Sequence, residues 1–407
     1  MNISKQVNDS FTDSQANALR MINRLAVDSG ARSALVGGTV RDMILGRQIR
    51  DLDVTVECDP GILFEGLPKS YDVDVIKKSQ FNTLKVRINQ ILVDVAMSRS
   101  ERYEAEGALP MVSPSSLEED LARRDITINS IAMSLHENSW GQIIDLHEGV
   151  SDLRSRTIRV LHRKSFADDP TRIFRVIKYA SRLGFCLDPD TLECLLTSLI
   201  HLRNVSGKRI TNELSYIFDE VESVNIVKVL SRLGVFRAVH PEMRITDESL
   251  RALEQLKLAQ KSEDLEAFFV LIACSVSPKE REVLSKRLLL DKAQVNDVLS
   301  FEVLESLNGN VTRRQLYDKL QFCTDPCLKA GSVYFEGEVL TLINTFVDEL
   351  RDVQLKINGE DVISLGLAPG PQVGEILCKV RLEVIESDCC SREQQLKLAQ
   401  ELIQRQF

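Results

Sequence analysis

The sequence is poor in several features that would each name a class of protein. No apolar run approaches the roughly 20 residues that a membrane helix requires, and the first residues, Met1 to Gln6, carry no apolar signal core. Nine cysteines are scattered along 407 residues. Cys323/Cys327 and Cys389/Cys390 are the close groupings, and neither has a second pair at zinc-ligand spacing. Free thiols in a reducing, cytoplasmic setting are therefore expected. The five histidines (His136, His147, His162, His201 and His240) include no His-Asp doublet and no two at ligand spacing. That excludes a zinc site and a fused His-Asp phosphohydrolase module. A Gly-x-Ser-x-Gly elbow and a P-loop lysine are both missing. Net positive charge is missing too: the formal charge is -9, which argues against a uniformly basic nucleic-acid binder.

What is present is a soluble globular composition, 43% hydrophobic and 27% charged, in a chain long enough for two or more domains. The charge is unevenly spread. Between Arg154 and Arg209 twelve Lys/Arg stand against five acids. A basic belt in an acidic protein suggests a localised phosphate-binding surface, although part of such a belt is always solvated helix face. Residues 12–29 read as a helix capped by Thr12. Strands are expected at Ser33–Val36, Asp51–Glu57, Val73–Lys77, Thr83–Ile88 and Ile91–Met97, with Asn89-Gln90 as a hairpin turn. Gly107 to Pro114 reads as loop, Leu117 to Leu135 as helix, and nearly everything after Asp152 as helix, with a break at Gly366–Pro371. The expected fold class is α+β: a small mixed β-sheet domain with helices, followed by a long α-helical remainder.

The most informative stretch is "ALVGGTVRDMILGRQIRDLDVTVE", Ala34 to Glu57. Side chains alternate along a strand, so Asp51 and Asp53 project from one face. Two like charges at that spacing repel unless a cation lies between them. A divalent metal such as Mg²⁺, which takes oxygen ligands and keeps phosphate and water as the remainder, answers the problem. Asp94, in "ILVDVAM", is a candidate third carboxylate on a neighbouring strand, against the plainer reading of a strand-end acid. Just upstream, Val36-Gly37-Gly38 ends a strand and Thr39-Val40-Arg41-Asp42 begins a helix. Glycines there let backbone N–H groups approach a phosphate at a helix N-terminus, and Arg41 can reach the same phosphate. Asp-x-Asp or a glycine pair alone is a weak signal; the combination is much more specific.

The combination resembles the class II tRNA nucleotidyltransferases, the bacterial CCA-adding enzymes with their A-adding, CC-adding and poly(A) polymerase relatives. The resemblance runs from about Ala34 to Glu213, through "VGGTVRD", "RDLDVTVE", "GALPMVSPSSLEEDLARRDITINSIAM", "DDPTRIFRVIKYASRLGF" and "SGKRITNEL", with a weaker echo in "INGEDVISLGLAPGPQVGEIL". It implies a nucleotidyltransferase-type mixed-sheet head (1–150) followed by an elongated all-α neck (151–220), body (221–345) and tail (346–407), and Mg²⁺-dependent addition of C and A to tRNA from CTP and ATP, with release of pyrophosphate. The tRNA acceptor stem and elbow would dock on the basic belt and the C-terminal helices. Catalytic roles fall on Asp51, Asp53 and Asp94, with Asp51 and Asp53 as metal ligands. Gly37, Gly38, Arg41, Arg124, Asp169, Arg172 and Arg175 are the implied nucleotide-binding residues. Ile126 stands where relatives usually carry Phe, Lys178 where the next arginine is expected, and Asp145–Gly149 replaces a Gly-Gly loop.

Of the adjacent arginines Arg123 and Arg124, one is expected to bind phosphate while the other pairs with Glu119 or Asp120. Asp125 and Asn129 are expected to brace the local structure. Pro170 suits the first turn of a helix capped by Asp168 or Asp169, with Asp169, Arg172 and Arg175 broadly on one face. The plain reading of these residues is a capped amphipathic helix with a surface ion pair. The sharper one comes from hydrogen-bond chemistry. Cytosine and adenine each present an amine donor beside a ring-nitrogen acceptor, and a carboxylate with a guanidinium matches that pattern while leaving guanine or uracil unpaired. CCA, CC, A-only and poly(A) products share this edge, so the residues leave the product open. The discriminating element is expected within Glu57 to Phe81. Two rival classes are a sugar-nucleotide transferase, which also uses Asp-x-Asp, and a silent RNA-binding protein with a relic head.

Overall fold

The computed structural model describes residues 10–49, 51–68, 71–79, 82–259, 264–387 and 391–406. The Cys389/Cys390 pair and parts of the Glu57–Phe81 stretch lie outside them. Two compact units emerge, Met1–Val239 and His240–Phe407.

In the first unit, α1 (Asp13–Asp28) starts at a reciprocal cap: Thr12 Oγ1 accepts from the Gln15 N–H, and the Gln15 side chain accepts from the Thr12 N–H. A chain reversal leads to β1 (Ser33–Val36), buried along its whole length, and then to α2 (Gly38–Ile44) and β2 (Leu52–Val56). Next come α3 (Pro60–Phe64), β3 (Val73–Lys78), β4 (Thr83–Ile88) and β5 (Ile91–Met97). Asn89 and Gln90 both take positive φ (46° and 70°), the backbone of a two-residue turn whose twist matches the β4–β5 hairpin.

Two stretches differ from the sequence expectation. Gly107–Pro114 is not all loop: β6 (Arg99–Arg102) pairs antiparallel with β7 (Met111–Pro114) as a separate ribbon. Leu117–Leu135 is not one helix. It breaks into α4 (Leu117–Ala122), a 3₁₀ turn at Thr127–Asn129 and β8 (Ile131–Ser134), which joins the sheet beside β1 and carries β9 (Ile143–Asp145) at the edge. The apolar spacing was read as helical, but Ile131–Met133 is a fully buried strand, whose run of apolar residues carries no period. The Asp120-Arg123-Arg124 cluster described below ends α4 in place of a further turn.

The sheet order is β3-β4-β5-β2-β1-β8-β9, antiparallel except for the β2–β5 pair. That parallel register sets Asp53 directly beside Asp94. Asp145 closes the sheet by accepting from the N–H groups of Gly149 and Val150 at 2.8 and 2.9 Å, which starts α5 (Gly149–Ser155), while Glu148 takes the left-handed conformation (φ 61°).

Helices then take over: α6 (Ser165–Asp168), α7 (Arg172–Leu183), α8 (Pro189–Ser198), α9 (Gly207–Phe218), α10 (Ser223–Arg232) and α11 (Val235–Val239). Pro170 lies just before α7 rather than in its first turn. Asp169 still does capping work, accepting from the Thr171 N–H at 3.0 Å. On α7 the buried face is Ile173, Phe174, Val176, Ile177 and Leu183.

The second unit has no strand among its described residues. Its core is aromatic and aliphatic. Phe301 stacks on Phe335 with ring centroids 5.5 Å apart, and Phe268, Phe269 and Phe346 are all buried. Ile357, Val362, Ile376, Val380 and Ala399 close a smaller cluster near its C-terminal end.

Candidate active site

The glycine turn forms where β1 leaves the sheet and α2 begins. Gly37 takes φ +67°, and a Cβ there would sit 2.8 Å from Arg124 Nη1, so both backbone and crowding require glycine. Thr39, the second residue of α2, fastens this helix to the next strand. Its hydroxyl donates to the Asp51 carbonyl at 2.9 Å and accepts from the Asp53 N–H at 3.1 Å. The two carboxylates are thereby held beside the glycine turn.

Asp51 is exposed just ahead of β2, and Asp53 is half-buried within it. Burial, then the neighbouring Asp94 and Asp51, push the Asp53 carboxyl up to about 6, against the pull of Arg124. A carboxylate crowded by carboxylates, and this reluctant to ionise, is short of positive charge; the oxygen donor set suits a hard divalent cation. Asp94 is partly turned to Lys85, whose Nζ is 3.6 Å away. No trio of His, Cys, Asp or Glu among the described residues has ion-holding geometry, so Asp51 and Asp53 would leave most of a coordination shell to phosphate and water.

The arginines are fixed by carboxylates in turn. Asp120, 1% exposed, accepts from both Arg123 (2.7 Å) and Arg124 (2.9 Å). One carboxylate therefore braces both adjacent arginines, where the sequence predicted a divided role. Arg124 Nη1 also reaches the Asn129 carbonyl at 3.4 Å, and its buried Nε has no hydrogen-bond partner among the described residues. Arg41 is 3% exposed: Nε and Nη2 donate to its neighbour Asp42, and Nη1 donates to Asn129 Oδ1 at 2.7 Å. Its guanidinium is thus spent on bracing the glycine turn. Asp125 is buried. Burial would raise its carboxyl, but Arg175 at 2.7 Å and the Asn129 amide outweigh that and hold it below the usual range.

Asp169 and Arg172 do not pair with each other. Asp169 Oδ1 accepts from Arg209 Nη2 at 2.6 Å and from the Thr171 hydroxyl at 2.7 Å. Arg172 donates to Ser165 Oγ and to the Arg123 carbonyl, both at 2.8 Å, and Nη2 also reaches the Tyr103 hydroxyl at 3.5 Å. The two base-reading candidates are therefore oriented separately. Lys178 leaves the arrangement: it faces Glu213 at 4.0 Å and the rings of Tyr179 and Tyr216.

These side chains enclose two cavities. The first, about 420 Å³, is lined by Gly37, Gly38, Asp53, Arg124, Asp169, Arg172 and Arg175 among others. The second, about 770 Å³, is lined by Gly38, Thr39, Arg41, Asp51, Asp53, residues of α7 and the turn Asp219–Val221 between α9 and α10. Nine of the ten predicted site residues thus line one or both; Asp94 lines neither. The reading of the sequence passed over Glu101, Tyr103, Arg209 and Tyr179. Arg99, Glu101 and Tyr103 recur at every second residue, a strand-period polar face that was there to be found, and Arg209 lies within "SGKRITNEL".

A glycine turn opening onto a helix, set against paired carboxylates on a mixed sheet and a ring of braced arginines, defines a nucleotidyl-transferring head. Residues 33–159 match the model of the poly(A) polymerase head domain, and 184–247 match that of the probable RNA- and SrmB-binding site of polymerase A. The head and the RNA-binding segment of this chain thus match the poly(A) polymerase family. It is 32% identical to an A-adding tRNA nucleotidyltransferase of Geobacter sulfurreducens over 89% of this chain, spanning only 44% of that relative's length. It is 27% identical to an A-adding tRNA nucleotidyltransferase of Halalkalibacterium halodurans over 98% of this chain and 95% of the relative. An apo-form structure of a CCA-adding enzyme superposes with a TM-score of 0.83 at 25% identity, covering 99% of this chain and 98% of the other.

Proposed function

We propose that this protein extends the 3′ end of tRNA with C and A residues taken from CTP and ATP, without a nucleic-acid template, and that its full product is the CCA end. The observation that carries the reading is the first cavity: it brings a glycine turn, the half-buried Arg124 and an Asp/Arg base-reading set to the half-buried Asp53. Asp51 and Asp53 would hold Mg²⁺, which when bound neutralises triphosphate charge and lowers the pKa of an attacking hydroxyl. Gly38 offers its backbone N–H to the triphosphate at the start of α2, Gly37 supplies the positive-φ turn before it, and the Arg124 guanidinium lends positive charge at the cavity wall. Arg41 keeps the turn in shape through Asn129. Asp169 accepts from the exocyclic amine of C or A while Arg172 donates to the ring nitrogen, and Arg209 and Ser165 hold the two in place. The pyrophosphate leaves on the arginine side. The four-part division at about 150, 220 and 345 remains our reading of how head, neck, body and tail share the RNA.

A-only addition is a second reading, favoured by the A-adding names of the two relatives described above. Three tRNA acceptors, ending before CCA, after C and after CC, offered CTP and ATP singly and together, separate the products. Extension of all three supports CCA, and extension of the last alone supports A addition. If Asp51→Ala with Asp53→Ala still incorporates nucleotide into any of them, the catalytic assignment is wrong.

A further inference from the structure

The two cavities meet at three residues, Gly38, Asp53 and Tyr179. The first two belong to the reacting centre described above. Tyr179 has no part in that account, yet it lies seven residues after Arg172 and four after Arg175, on the same face of α7. Its ring is gripped by cations. Arg41 Cζ lies 5.3 Å and Arg182 Cζ 5.5 Å from the ring centroid. Because Arg41 is itself locked to Asn129, the ring is fixed to the glycine turn rather than left to swing. Arg182 is held from the other side by Glu220, and its side chain remains 41% exposed. Tyr179 is only half-buried, and its hydroxyl makes no hydrogen bond among the described residues.

A half-exposed aromatic ring, immobilised by arginines and dividing two spaces that share one carboxylate, suits a reaction that joins two nucleotides. Resting on the reading under Proposed function, we propose that Tyr179 is a substrate-positioning residue: its ring stacks on the terminal base of the acceptor RNA in the larger cavity and keeps that nucleoside out of the nucleotide cavity. The planar guanidinium of Arg182 extends the platform, and the exposed Arg47 supplies a cation at the cavity wall for the strand's phosphate. The smaller cavity is then left to the incoming nucleotide.

The test uses the full chain and a labelled acceptor-stem minihelix, in two versions that differ only in bearing a normal or an abasic 3′-terminal nucleotide. Binding is followed by fluorescence anisotropy at fixed salt. Wild type and Tyr179→Phe should prefer the base-bearing end by about 10-fold, as expected for one base–aromatic stack. Tyr179→Leu should bind both versions alike, with ATP affinity within about 2-fold of wild type. Tyr179→Trp, with a larger face, should keep the preference and covers the case in which the leucine variant misfolds. The proposal is overturned if wild type shows no preference, if Tyr179→Leu retains it, or if the loss in Tyr179→Leu falls on ATP instead. Nucleotide incorporation by the wild type is read in parallel. Preference without incorporation would remove the proposed function and leave the stacking role standing.

Discussion

The two units bury charge in different ways. In Met1–Val239 the buried ionic groups converge: Asp120 on Arg123 and Arg124, Asp125 on Arg175, Asn129 on Arg41, with most of them bordering one cavity. In His240–Phe407 they are isolated pairs within an apolar core, Arg281 with Glu305 and Lys329 with Asp264. Desolvating an ion pair costs about as much as the attraction returns, so neither pattern is an efficient way to add stability. An isolated pair specifies how two helices meet. A converging cluster keeps guanidinium groups rigid and poorly hydrated around a space, which is where such groups act most strongly on a charged ligand. The comparison predicts that substitutions in the first unit act on rate, and those in the second on folding.

The largest expected effect is on rate. Arg124→Ala should lower kcat/KM for the nucleotide by ~10³, about 4 kcal/mol of transition-state stabilisation. The fold should hold, because Arg123 still satisfies Asp120. Steady-state incorporation together with a melting curve checks both halves. A variant that melts early and retains its rate would break the contrast between the units.

In the second unit the order reverses. Glu305→Ala leaves Arg281, 1% exposed, without the carboxylate that accepts from both its Nη groups at 2.6 and 2.8 Å. The expected cost is about 3 kcal/mol in urea unfolding. Arg281→Met combined with Glu305→Leu should recover most of that loss, since the guanidinium lies against the Phe301 ring and an apolar side chain can fill its place. Non-recovery would mean that the pair contributes more than geometry to this core.

Much of the first unit was legible because its signals are local. The Thr12 cap, the Asn89-Gln90 turn and the strands on either side of it depend on neighbours in sequence, and all appear where expected. The Asp51/Asp53 pair was legible because two acids with strand spacing cannot be explained by packing. What escaped was set by distant partners. The first three residues of the strand Ile131–Ser134 are apolar, and they read as helix until β1 and β9 are placed on either side of the strand. Asp169 and Arg172 sit three residues apart and invited pairing, but Arg209, forty residues on, and Ser165 claim them instead. Tyr179 carried no signal in the sequence, because only the assembled fold sets its ring between two cavities.

Metal binding sharpens the comparison further. A ~30-fold excess of Mg²⁺ over its dissociation constant should add about 2 kcal/mol to the stability of the wild type. Asp53→Asn should show little of this gain, and Glu305→Ala all of it. Calorimetric melts with Mg²⁺ and with chelator read the difference. A gain that survives Asp53→Asn would place the ion elsewhere.

The smallest effect tests whether an exposed pair in the first unit behaves like the buried cluster or like ordinary surface. Arg32 bridges Glu57 at 2.6 Å and Glu118 at 2.9 Å, tying β2 to the first turn of α4. Hydrogen bonds from Arg32, then the Glu118 N–H at the helix start, lower the Glu118 carboxyl from 4.5 to about 2. A folded-state value below the unfolded one contributes stability that is complete above about 4.5 and disappears as pH falls towards about 2. The stability gap between wild type and Glu118→Gln should therefore be constant from pH 7 to 5 and close between pH 4.5 and 2. With Arg32 and Glu118 both about half exposed, solvent and salt keep that gap below ~1 kcal/mol, and raising the salt should shrink it. A gap independent of pH would mean that Glu118 acts through packing alone. One well above that size would show that the rigidity of the arginine cluster extends to the edge of the sheet.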